Sequence, residues 1–201
     1  MEFDYRVSIH RHYFAICLSN VSAYEGICAE MEKIESASIG ADETHIAQMN
    51  LSVLYEKREQ TATVPIVFAA MCLEAFAYDY GASNLGDAYV QKHLDKLDMI
   101  SKITVLSKLV TGKDFPAHGQ AYEGMVKLGK ARNKLVHYKS KKFSMSDLNK
   151  ASEYHDKLNN ELREEMHASI DTVRAVMKEL DKLHGKEGVY EYSIEPTQCH
   201  A

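Results

Sequence analysis

The chain of 201 residues has no tryptophan, three prolines, ten glycines and four cysteines. So few helix breakers predict long helices joined by short loops. Cys17, Cys28, Cys72 and Cys199 form no C-x-x-C pair, and three of them sit in apolar helical patterns where free cysteine behaves as a small hydrophobe. Neither a disulfide framework nor a structural zinc site is expected. The longest apolar run, Val64 to Leu73, falls well short of the ~20 residues a membrane-spanning helix needs. The first residues, MEFDYRVSIHRHY, lack the basic start and apolar block of a secretory signal, so a cytoplasmic protein without a membrane partner is expected. No phosphate-binding G-x-x-x-x-G-K-[ST], nucleophile elbow or dinucleotide fingerprint occurs.

What is present is an ordinary globular composition, 45% hydrophobic and 26% charged, which excludes intrinsic disorder. The length suits a single domain over residues 1–201. Net charge is −5, so nothing global announces nucleic acid, but the charge is unevenly spread. Between Met125 and Ser146 there is no acidic residue, while Lys127, Lys130, Arg132, Lys134, Lys139, Lys141 and Lys142 carry seven positive charges. The rest of the chain must therefore hold −12, the difference between −5 and +7.

Periodicity sets the expected elements. Phe14, Cys17, Leu18, Val21, Tyr24, Cys28, Met31 and Ile34 recur at three- and four-residue steps, predicting a helix from about His10 to Ser36. Asp42 reads as the N-cap of a second helix to about Glu59, with Ile46, Met49 and Leu54 as its buried face. A third, apolar nearly all round, is expected from Thr63 to Tyr80 with Pro65 in its first turn. Shorter helices over about 86–97 and 98–110 follow, then one over 121–136 and a long one from Ser146 to Leu183, kinked near Asn159 and Asn160 and stopped by Gly185. Phe3, Tyr5, Val7 and Ile9 alternate, as do Tyr190, Tyr192 and Ile194, so a two-stranded ribbon from the chain ends is expected. The fold class is all-α, a bundle of five or more helices.

The informative segment is Gly124-Met-Val-Lys-Leu-Gly-Lys-Ala-Arg-Asn-Lys-Leu-Val-His-Tyr138. At about 100° per residue, Met125, Leu128, Leu135 and Val136 lie within about 60° of Arg132, which puts a guanidinium on the apolar stripe. Such a charge must meet a carboxylate or a functional cleft. Asn133 and His137, four residues apart, share the neighbouring face. Glu74, at the edge of the stripe Val64, Val67, Met71 and Ala75, is the candidate partner of Arg132 in a core bridge. The pattern of arginine then histidine also fits Arg6 and His12, but there no asparagine follows the arginine and no basic flank accompanies it.

Arg132-Asn133-Lys-Leu-Val-His137-Tyr138 on a late helix resembles the signature of HEPN domains, and Glu74 within LEAFAYDY resembles an acidic position of their central helix. The resemblance spans roughly residues 64–183. It implies a helical bundle, usually homodimeric, that acts as a metal-independent endoribonuclease in toxin–antitoxin, phage-defence or RNA-processing systems. An antitoxin or nucleotidyltransferase partner is implied with it. In the toxins paired with nucleotidyltransferases, one residue separates the histidine from a modifiable tyrosine; here Tyr138 follows His137 directly. Other HEPN domains are non-catalytic modules that bind nucleic acid or nucleotide, which is the alternative reading.

The residue types fit RNA cleavage without a cofactor. His137 can move the proton of the attacking 2′-hydroxyl or of the leaving 5′-oxygen. Arg132 can clamp the phosphate, Asn133 can orient His137 or hold a phosphate oxygen, and Glu74 and Tyr138 support them. Lys127, Lys130, Lys134, Lys139, Lys141 and Lys142 would track the RNA backbone. Glu164 and His167 form one E-x-x-H step where a di-iron bundle needs two, and His10 with His12 lacks a third ligand. No metal is expected.

Overall fold

A computed structural model describes residues 7–37, 44–144 and 147–195. These form seven helices: α1 (His10–Ser36), α2 (Thr44–Leu85), α3 (Asp87–His93), α4 (Met99–Thr111), α5 (Gln120–Val136), α6 (Leu148–His184) and α7 (Val189–Ile194). Among the described residues there is no strand.

The second and third expected helices are one. α2 runs through Pro65, although that residue lacks an N–H and a proline within a helix costs about 3 kcal/mol. No glycine interrupts residues 44–64, so nothing terminates the first half before the proline. Ala62, Pro65, Ile66 and Ala69 are buried, and Cys17 of α1 donates its thiol to the Pro65 carbonyl at 3.5 Å. Packing thus carries the helix across its weak turn. The expected face of the first half is corrected too: Leu54 is buried, but Ile46 and Met49 are exposed because those turns extend past the core.

The C-terminal half of the expected ribbon is also overturned. Tyr190, Tyr192 and Ile194 belong to α7, and Phe3 and Tyr5 lie outside the described residues. Alternation over five positions also satisfies a helix, since Tyr190 and Ile194 are four apart and share a face. Gly188, at φ 69°, turns the chain, and the buried Asp181 carboxylate accepts from the Tyr190 and Glu191 amides at 3.0 and 3.2 Å. At the other end Arg11 donates to the carbonyls of Ser193 and Tyr192 at 3.2 and 3.0 Å. An anion at the N-terminus and a cation at the C-terminus complement the helix dipole and dock this short helix on α1 and α6.

α2 packs against α1, α3, α4, α5 and α6. Its length and composition would suffice for a membrane crossing, but half of its most apolar window is buried in the bundle, where it serves as the core helix. α5, which carries the basic segment, is held between α2, α4 and α6. It buries Ala121, Met125, Leu128 and Ala131. Gly124 meets α6 so closely that a Cβ there would sit 2.6 Å from Oγ1 of Thr172. Gly129, a turn and a half later, has nothing within 4 Å of its would-be Cβ.

Two outcomes follow for the bundle. Gly124→Ala should lower the thermal midpoint, whereas Gly129→Ala should hold or raise stability by up to about 1 kcal/mol, because alanine loses less backbone entropy in a helix. Thermal denaturation of both variants checks the pair. The second outcome concerns pH. His10 is packed edge-on against Phe76 at 5.3 Å, and burial lowers its pKa from 6.5 despite Asp79 at 3.2 Å. His184, 2.6 Å from the Tyr80 hydroxyl, is lowered from 6.5 in the same way. A histidine whose folded pKa is depressed lets the unfolded chain take up protons first, so stability is present above pH 6.5 and falls below it. A thermal midpoint that stays flat on acidification through 6.5 would contradict this.

Candidate functional site

Met125, Leu128 and Ala131 hold α5 against the core, but the core runs out before the helix does. Val136 is 52% exposed, so the expected apolar stripe is shorter than its periodicity suggests. Arg132 is only half-buried and Glu74 is exposed, so neither charge is desolvated enough to need the other. They make no ion pair among the described residues. The core bridge read from the sequence is absent, because a cleft separates α2 from α5 at this level.

That cleft has a volume of about 370 Å³. Arg132, Asn133 and Lys130 line it from α5, Glu74 and Ala70 from α2, and Asp98, Met99 and Ile100 from the start of α4. Arg132 donates from Nη1 to Oδ1 of Asn133 at 3.1 Å, its only side-chain hydrogen bond among the described residues. The asparagine therefore steadies the guanidinium without cancelling its charge, leaving the other donors of the fork open to the cleft. The structure brings together Glu74, Lys130, Arg132 and Asn133.

His137 is not among the residues that line the cleft. It is the C-cap of α5, exposed, with its backbone N–H on the Asn133 carbonyl at 2.9 Å. By helical phase it follows Asn133 on the outer side of α5. Tyr138 is half-exposed beyond the helix end, and the nearby Tyr154 of α6, with burial, raises its pKa.

The lysines divide. Lys127 lies on the opposite flank of α5, in a groove of about 410 Å³ shared with Glu123, Glu164 and Glu165. Lys134 bonds to Glu161 of α6 at 2.5 Å, which raises the lysine and lowers the carboxylate. Lys139, Lys141 and Lys142 are exposed on the segment after α5. Only Lys130 shares the cleft with Arg132.

Sequence reasoning missed Asp98 as a wall of the cleft. Its carboxylate caps α4, accepting from the Ile100 and Ser101 amides at 3.1 Å each and from the Ser101 hydroxyl at 2.5 Å. Those donors, the serine hydroxyl first, hold its carboxyl below the usual range. The step Asp98-Met-Ile-Ser101 is an N-cap signal that marks the helix start, and only the tertiary fold turns that start toward Arg132. Among the described residues no cluster of three or more His, Cys, Asp or Glu side chains could hold a metal ion.

Because Arg132 has no carboxylate partner among the described residues, Arg132→Ala should leave the thermal midpoint nearly unchanged, within the ~0.5 kcal/mol typical of surface substitutions. A loss of about 3 kcal/mol or more would instead reveal an uncompensated buried carboxylate. Neither a protein-family model, nor a curated protein, nor a solved structure matches the chain, so what the cleft can do follows from its own residues.

Proposed function

We propose that the protein is a HEPN-like, metal-independent endoribonuclease that works as a homodimer in the cytoplasm. The observation that carries this reading is the half-buried Arg132, steadied by Asn133 and without an ion-pair partner among the described residues, opening with Lys130 into a cleft of about 370 Å³. An arginine left free of carboxylates is suited to a phosphodiester, which its fork binds in bidentate fashion.

In this reading the ribose 2′-oxygen attacks the adjacent phosphorus as its proton leaves. The P–O5′ bond breaks, and the departing 5′-oxygen takes a proton, leaving a cyclic phosphate. Arg132 stabilises the charge that builds on the phosphorane oxygens, and His137 carries one of the two protons. His137 stands outside the cleft of its own chain, so pairing two chains along α5 would bring one chain's histidine to the other's arginine. A toxin–antitoxin or phage-defence setting, with an antitoxin or nucleotidyltransferase as partner, is the context the resemblance implies.

The separation of His137 from the cleft residues also favours a second reading, a module that binds RNA or nucleotide phosphate through Arg132 and Lys130 without cutting it. One set of measurements separates the two. Wild-type protein should cleave RNA in the presence of EDTA, and an RNA with a 2′-deoxy scissile ribose should resist. His137→Ala should abolish cleavage while RNA binding stays nearly intact. Changing Lys139, Lys141 and Lys142 together to alanine should weaken binding and flatten its salt dependence by up to about three phosphate contacts. A dimer that binds RNA yet cleaves no member of a broad panel promotes the binding module.

A further inference from the structure

Beyond the end of α5 the chain turns back onto α6 and sets aromatic rings among its lysines. The ring of Phe143 lies 5.6 Å from that of Tyr154, and Nζ of Lys141 sits 4.3 Å from the Tyr154 centroid. Tyr138 lies exposed two residues past the end of α5, in the same segment. Tyr154 is partly buried and forms the base of the group. Tyr138 and Phe143 stay 50% and 36% exposed, so both rings keep a face open to solvent. Lys139 and Lys142 are exposed beside them, and no acidic residue occurs from Met125 to Ser146. Glu59 of α2 is the acidic group felt by Tyr138.

We infer that Tyr138, Phe143 and Tyr154 form a stacking platform for an unpaired nucleobase of the strand whose phosphate occupies the Arg132 cleft. This rests on the proposed nucleic-acid reading and adds to it which form of the nucleic acid binds. An aromatic face offers stacking to any base, and lysines alongside take the flanking phosphates. A base within a duplex has both faces covered by its neighbours, so the platform excludes paired strands. Arg132 lies near the C-terminal end of α5 and Tyr138 two residues past it, so the cleft and the platform belong to the same end of the helix.

The test uses probes that cannot be cleaved by internal attack: a fluorescent oligodeoxyadenylate, the same strand annealed to its complement, and an abasic deoxyribose–phosphate chain of equal length. Fluorescence anisotropy with wild-type protein should show the single strand binding roughly tenfold more tightly than the other two, the scale of one stacked base. Tyr138→Ala with Phe143→Ala should remove that preference and leave the abasic chain bound as before, with an unchanged helical spectrum. Tyr138→Phe, which keeps the ring, should retain it. Equal binding of all three probes by the wild type overturns the platform while phosphate binding by the cleft stands. Binding of none overturns the nucleic-acid reading and the platform with it.

Discussion

The burial of α2 constrains every other element. Its second half is apolar on almost every side, with Ile66, Leu73, Cys72 and Ala77 fully enclosed, so helices must surround it. Small residues set how close they come. A Cβ on Gly81 would lie 2.8 Å from a Leu106 methyl and 3.0 Å from one of Val90, so α3 and α4 approach nearer than a larger side chain would allow. The start of α4 thereby arrives at Ala70 and Glu74, and the cleft follows from that approach. The shape of the cleft is a by-product of how closely the helices around α2 can pack.

Much of the fold was legible because local and tertiary signals agreed. The heptad-like spacing from Phe14 to Ile34 marked α1 at its observed limits, Asp98 started α4, and Gly185, at φ 64°, stopped α6. Misreadings came where one local signal stood alone. Pro65 suggested a helix start, yet a proline with no glycine before it to end the preceding turns yields to packing. Ile46 and Met49 had helical spacing, but periodicity shows which residues share a face and not whether anything covers it. Tyr190, Tyr192 and Ile194 alternate, and too short a segment cannot distinguish period two from period four.

The same limit governed the site. The sequence placed Arg132 and Asn133 together on α5 and marked Glu74 as anomalous in an apolar helix, and the fold sets all three on one cleft. What it could not show is the width between α2 and α5. An apolar stripe drawn through Met125, Leu128, Leu135 and Val136 assumes the core is as long as the helix, whereas Val136 is more than half exposed. Lysines suffer from the same ambiguity: Lys130 and Lys134 are one turn apart, yet one faces the cleft and the other is engaged by Glu161.

Charge balance in the cleft then explains why an arginine is useful there. Four formal charges line it, Arg132 and Lys130 against Glu74 and Asp98, which by count alone would cancel. Asp98, however, is turned to the amides of Ile100 and Ser101, and its charge is offset by the N-terminal dipole of α4. Glu74 is exposed and screened by solvent, so it weakens the field of Arg132 only modestly. The guanidinium is held by a neutral amide that fixes its plane without neutralising it. Had Glu74 closed onto Arg132, the pair would have gained little stability and an entering phosphate would first have had to break it. Separation of the two charges across the cleft keeps the cation available to an incoming anion.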